Sequence, residues 1–252
     1  MSASDLLGSV LVYLGLLCGA LGLFVCLRPW RRLGLTSRRR GAALVAAGIL
    51  LGLAGLAVPA PLEHSASRQR IDDFVPEYQF REFHQTEVAA SPAAIHQAIW
   101  GVPAGEIRLF RLFTWIRSPR LPCCTTRETI LSPSAEQPIL KVATSSGFRL
   151  LADDLRDVVI GTIVVAPRGL RRDALKGDLR KIPGLALAVM SFHVAPLAAS
   201  QGDRCLLTTE TRIFATDART LRRFRAYWRL IAPGSAILRV TWLDAIRARA
   251  ER

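Results

Sequence analysis

The sequence predicts an α+β protein: a two-helix transmembrane hairpin, followed by a domain in which an antiparallel sheet surrounds a long C-terminal helix. Three observations carry this expectation. Two runs of 22 residues, Leu6–Leu27 and Gly41–Leu62, contain no charged side chain. Several strand-length segments rich in β-branched and aromatic residues follow Tyr78. The stretch from Ala218 to Ala250 then reads as one long amphipathic helix.

Each uncharged run would form a helix about 33 Å long at ~1.5 Å per residue, enough to cross a hydrocarbon core of about 30 Å. Between them lies Arg28–Arg40, RPWRRLGLTSRRR, with six arginines and no acid. Basic loops stay on the cytoplasmic side, so this turn is expected inside the cell and everything after Leu62 outside it. Trp30 beside the arginines suits a membrane interface. Residues 1–5 carry no positive charge and include Asp5. A cleavable signal peptide wants a basic front and a shorter apolar region, so the first run is expected to be retained. Gly15, Gly19 and Gly22 in the first run, and Gly48, Gly52 and Gly55 in the second, have the spacing that lets two helix backbones approach closely. With no ionisable residue inside either run, the hairpin reads as an anchor rather than a transport path.

The whole chain carries 34 Lys+Arg against 20 Asp+Glu, a net charge of +14. Placement at a membrane argues against nucleic acid as the partner; the bilayer and a lipophilic ligand are the partners expected instead. No CxxC and no His/Cys cluster at metal spacing occurs, so neither a metal nor any other cofactor is expected. Cys18 and Cys26 fall in the first run as small hydrophobes. Cys205 could bridge to Cys123 or Cys124 in an oxidising compartment, or all three could be free thiols.

Pro59 and Pro61 end the second run, and the polar stretch Glu63–Glu77 reads as a linker between the hairpin (1–62) and a domain over 78–252. Tyr78–Ala90 reads as a strand. Ser91-Pro92 opens a helix that Gly101 stops, with Ser91 as N-cap and Pro92 at its first position. The aromatic segment Glu106–Arg117, EIRLFRLFTWIR, is expected as a strand. Pro138–Ser146 is a short helix closed by Gly147. Phe148–Asp154, Asp157–Val165, Gly184–Pro196 and Arg204–Ala215 are further strands. Asp217 caps the long helix, which Pro233-Gly234 should kink or break. Within it Leu221, Phe224, Tyr227, Trp228 and Ile231 share one face, while Arg222, Arg225 and Arg229 fall opposite.

This order of elements is the helix-grip order. SPAAIHQAI, EIRLFRLFTWIR, ILKVATSSGF, TTETRIFATDARTLRRFRAYWRLIAPGSAILR and the closing WLDAIRARAE resemble bacterial START-like proteins of the SRPBCC superfamily (polyketide cyclase/dehydrase and lipid transport). The resemblance spans about Tyr78–Glu251. It implies a cavity between sheet and last helix, and membership among hydrophobic-ligand carriers, cyclases or interaction modules; it carries over no catalytic motif. The hairpin lies outside it.

Candidate residues follow. Glu210 and Arg212, two apart on one strand, share a face. They would bind a polar ligand group if that face lines the cavity, or form a weak exposed pair if it meets solvent. Phe148, Phe192, Tyr227 and Trp228 would line the cavity or fill a core. His193 is a lone candidate for acid–base work. Asp153, Asp154 and Asp157 are better explained as turn residues. The basic loop Pro167–Pro183, with Arg171, Arg172, Arg180 and Lys181 among interleaved leucines, is expected near a cavity mouth, where it would touch anionic headgroups. The function read from all this is membrane-tethered binding of a hydrophobic small molecule or lipid. The alternatives are a cyclase- or dehydrase-type enzyme and a ligand-free interaction module.

Overall fold

A computed structural model describes residues 2–28, 37–65, 69–117, 134–167, 169–170, 178–197 and 204–252. Most of the arginine-rich turn, Cys123, Cys124, Arg171 and Arg172 lie outside the described residues. The chain divides into two compact units: Met1–Pro61 with Arg222–Ala232, and Leu62–Leu221 with Pro233–Arg252.

The first unit contains α1 (Ala3–Leu27) and α2 (Arg38–Ala57). Ser2 and Ser37 cap them, accepting from the amides of Asp5 and Arg40. The helices pack through their glycines. A Cβ on Gly15 would lie 2.6 Å from the Gly48 carbonyl oxygen, and one on Gly22 would lie 2.6 Å from the Val45 nitrogen. Any larger residue there would push the backbones apart. Outward, the pair shows Leu14, Leu17, Leu23, Leu50 and Leu53. Both helices are long and apolar enough to cross a membrane.

The same unit takes in Arg222–Ala232, a stretch of the last helix, α6 (Ala218–Ala250). The helical wheel sets Arg229 opposite the apolar face, yet it is completely buried. Its guanidinium donates to the carbonyls of Ser4, Asp5 and Val58 at 2.6, 2.7 and 3.2 Å, and lies 3.7 Å from the Asp5 carboxylate. Val58 is the C-cap of α2, so Arg229 occupies a helix-end carbonyl that has no partner within its own helix. Tyr13 adds a 2.6 Å hydrogen bond to the Leu230 carbonyl.

The second unit begins with β1 (Glu63–His64), a 3-10 turn (Arg70–Asp73) and β2 (Glu77–Tyr78). β1 pairs antiparallel with β2. The stretch expected as a linker is therefore folded structure, and Ile71 and Val75 within it are buried. Next come β3 (Phe80–Val88), α3 (Pro92–Gly101), α4 (Phe110–Arg117) and α5 (Ile139–Ser146). The strands β4 (Arg149–Asp153), β5 (Asp157–Val165), β6 (Ala186–Pro196) and β7 (Cys205–Ala215) precede α6. The sheet is antiparallel throughout, ordered β3-β7-β6-β5-β4. The unit is thus a five-stranded antiparallel sheet packed on a long C-terminal helix, the helix-grip arrangement.

One expectation fails and a second is narrowed, each for an identifiable reason. The segment expected as a strand over Glu106–Arg117 is helical. Its buried residues Ile107, Phe110 and Thr114 recur at intervals of three and four, and its remaining apolar residues spread over the outer face, so aromatic content outweighed the period. Of the two outcomes expected at Pro233, a kink or a break, the break does not occur, and α6 continues to Ala250. Proline costs its own amide bond to the Arg229 carbonyl, but packing on both sides of it keeps the helix going.

The core lies between the helix-facing side of the sheet and α3, α5 and the second half of α6. Ile99, Leu140, Phe192, Leu207, Trp242 and Ile246 fill it. Phe192 meets Trp242 edge-on at 5.2 Å. Trp228 is buried, in the stretch of α6 that groups with the first unit. A smaller cluster on the other sheet face joins Ile71, Val75 and Tyr78 to Val159 and Val189.

Candidate functional site

Alternation along β3 sends Phe80, Glu82, His84, Thr86 and Val88 to one face; Phe80 and Val88 at the ends are fully buried, Val88 within the core. Register then builds two rows across the sheet. Glu82 stands beside Thr211 and Met190, and His84 beside Thr209 and Phe192. These rows face the second half of α6. Glu82 is 2% exposed; it accepts a 2.7 Å hydrogen bond from the Ser235 hydroxyl of α6 and lies 3.2 Å from His84 Nε2. Arg239, one turn further along α6, donates to Met190 Sδ, and its guanidinium lies 5.5 Å from the centre of the Trp242 ring.

Three buried donors here have no hydrogen-bond partner among the described residues: Thr209 Oγ1, Thr211 Oγ1 and Trp242 Nε1. An unsatisfied buried hydroxyl or indole N–H costs about 1–3 kcal/mol, so natural proteins keep few of them. Here they cluster around a buried carboxylate within an apolar interior. That set can donate to a carbonyl or hydroxyl oxygen and accept one donor in return. No group of three His, Cys, Asp or Glu among the described residues is arranged to hold a metal ion.

Of the residues singled out in the sequence, Phe192 belongs to this interior, and Phe148 packs partly buried against the same core. Glu210 and Arg212 point the other way, and neither sequence alternative describes them. They are buried on the opposite sheet face, where the Glu63–Tyr78 segment supplies partners to Arg212, and Arg81 of β3 supplies one to Glu210. Arg212 Nε donates to Glu210 at 2.5 Å. Its other nitrogens reach the Asp72 carboxylate, the Val75 carbonyl at 3.1 Å and Ser65 Oγ at 3.1 Å. Tyr78 covers the guanidinium at 4.9 Å. Arg81 grips both Glu210 oxygens at 2.8 and 3.2 Å. Burial works to raise the Glu210 pKa, but the hydrogen bonds from Arg81 and Arg212 outweigh it and hold the carboxyl below its usual range. His193 is also on this face; its 2.8 Å bond to Asp157 raises the imidazole pKa against the opposing effect of burial. Asp154 accepts from the amides of Arg156 and Asp157, which is turn chemistry.

Tyr227 and Trp228 lie in the stretch of α6 that belongs to the first unit, Tyr227 edge-on to Phe224 and Trp228 stacked on it. Arg180 pairs with Asp178 at 3.0 Å, and Lys181 is largely exposed. With Arg149, Arg180 edges a groove of about 800 Å³ floored by Leu151, Leu187 and Val189. This groove lies on the Glu210 face, away from the helix-facing interior.

Glu82, His84, Thr209, Thr211, Ser235 and Trp242 were not singled out from sequence. A signal existed for the first two: they share parity with Phe80 and Val88 in a half-buried strand. The threonines carried none, because Thr suits either face of a strand.

No family model matches the chain, and no curated protein matches it. Similar solved structures include a protein from Nitrosospira multiformis, 10% identical, covering 67% of this chain and 94% of its own, with a TM-score of 0.28. The Zhui aromatase/cyclase from Streptomyces sp. R1128 is 16% identical over 69% of this chain and 94% of its own, TM-score 0.28. Norcoclaurine synthase from Thalictrum flavum in complex with dopamine and hydroxybenzaldehyde is 14% identical over 67% and 84%, TM-score 0.25. The fold assignment rests on this chain's own strand order and gripped helix, not on these likenesses.

Proposed function

We propose that this protein is a membrane-tethered binder of a lipophilic small molecule or lipid that carries an oxygen-bearing polar group. The observation behind this reading is the set of unsatisfied donors at Thr209, Thr211 and Trp242 beside the buried Glu82. Small-molecule sites are apolar with a few convergent polar groups, and this interior has that make-up. Only 22% and 17% of the apolar stretches of α1 and α2 are buried, which suits lipid-facing spans better than core helices of a soluble protein. The basic turn between them favours an inside-facing loop, so residues 63–252 work outside the cytoplasm. The loop 167–183 then offers Arg171, Arg172, Arg180 and Lys181 to anionic headgroups.

The ligand reading is tested by organic extraction of purified protein and mass spectrometry, comparing wild type with Thr209→Val/Thr211→Val. The variant keeps shape and volume, and without ligand it should be more stable, by about 1–3 kcal/mol for each orphan hydroxyl removed. It should nevertheless lose the compound that wild type retains. Extracts that match, or a variant less stable than wild type, would show the hydroxyls to be structural.

Orientation has its own test. Alkaline phosphatase fused after Arg252 should be active, and a fluorescent protein that folds only in the cytoplasm should stay dark there. The reverse pattern would place the domain inside the cell.

A further inference from the structure

We infer that α4 is a membrane-dipping element that seats the sheet-bearing unit on an anionic bilayer. The helix is short and turned inside out for a water-soluble surface. Phe110 and Thr114 face inward, and Phe113 packs near Gly234 of α6. Outward it presents Leu109, Leu112, Trp115 and Ile116, with relative exposures of 53%, 49%, 59% and 58%. Leu109 just before the helix and three large apolar side chains along it make an exposed apolar group within eight residues, not the scattered single residues that are normal on a surface.

The backbone supports the patch. Leu109 is the only described residue other than glycine with positive φ, at 60°. L-residues avoid that region because Cβ crowds the carbonyl oxygen. Here the conformation is spent on a leucine more than half exposed to solvent. Arg108 and Arg111 are exposed beside the apolar residues. An outer face of leucine, isoleucine and tryptophan mixed with arginine matches helices that lie in a bilayer interface, with the ring at headgroup depth and cations toward phosphates.

The occupant is a bilayer because the chain carries its own tether, and it is an anionic one because the flanking charges are both positive in a chain of net +14. The inference thus rests on the membrane reading of α1 and α2, but it adds a second and reversible contact that the hairpin does not require.

The test uses the full chain reconstituted in vesicles, with its five native cysteines replaced by alanine. An environment-sensitive dye is placed at Leu112→Cys or Trp115→Cys. Leu50→Cys on α2 serves as the hairpin reference, and Arg149→Cys on exposed β4 as the aqueous one. All four positions are exposed, so the dye disturbs no core. In anionic vesicles, nitroxide-bearing lipid should quench positions 112 and 115 several-fold more than 149, and neutral lipid or high salt should weaken the difference. If 112 and 115 respond to aqueous iodide as 149 does while 50 is quenched from the lipid, the inference falls and the tether stands. If 50 is not quenched from the lipid, the tether falls and the inference with it. Shielding of 112 and 115 from both quenchers would mean that a second copy of the chain covers the patch, which also overturns it.

Discussion

Arg212→Met is expected to destabilise the sheet-bearing unit by about 3–5 kcal/mol, the range for removing one partner from a buried ion pair. The guanidinium is 1% exposed and binds two carboxylates, a carbonyl and a hydroxyl. Removing it leaves Glu210 with Arg81 alone and takes from Asp72, within the 3-10 turn, its charged partner, leaving only the hydrogen bonds from Gln69 and Ser65. Arg212→Lys should recover little, because an ammonium cannot reproduce the planar fork that reaches all four acceptors. The contrast is Arg204→Met, which breaks a pair with Glu87 whose members are 51% and 57% exposed, and should cost under about 1 kcal/mol. Chemical unfolding of the full chain in detergent, followed by tryptophan fluorescence, reads both; equal effects from the two substitutions would refute the network's importance. The network also has an acid limit. Glu210 and Asp72 both have pKa values below their ordinary ones, in each case because hydrogen bonds to the charged form outweigh burial. Their contribution is present above the unfolded carboxyl values, about pH 4, and is lost as pH falls through the depressed folded values. Asp217, the α6 cap, adds to this: amide and hydroxyl donors lower its pKa to about 2.

Arg229→Leu should have an effect of the same order, about 3–5 kcal/mol, in the hairpin-bearing unit. It removes three donated hydrogen bonds and leaves Asp5 buried opposite a methyl group. Gly8→Ala tests the same contact from the other side, since a Cβ there would overlap the guanidinium. Asp5→Leu/Arg229→Leu should recover part of the loss, because replacing both members of a buried pair is far cheaper than removing one. The unfolding midpoint in detergent measures all three. A double substitution no better than Arg229→Leu alone would mean that Arg229 acts through the carbonyls and not through Asp5. A practical consequence follows: cutting the chain at residue 62 strips the partners from Arg229, so a hairpin-free domain would leave that guanidinium without the carbonyls of Ser4, Asp5 and Val58.

Much was legible in the sequence because it is local. Ser91 and Asp217 announced the starts of α3 and α6, and each does cap its helix by accepting backbone amides. Charge-free length announced α1 and α2, and the glycine spacing announced their contact. Strand-length segments rich in β-branched and aromatic residues announced β3 to β7, and with the final helix they defined the fold class. What tertiary structure alone decided is which surface meets which. Glu210 and Arg212 share a face by simple alternation, but only the return of residues 63–78 makes that face buried and ionic. Arg229 lies opposite an apolar stripe by simple periodicity, but residues more than two hundred positions away turn that side into an interior. A wheel or an alternation assigns directions, not neighbours. Burial of a charge depends on partners that come from elsewhere in the chain, and so does the orphaning of a threonine hydroxyl.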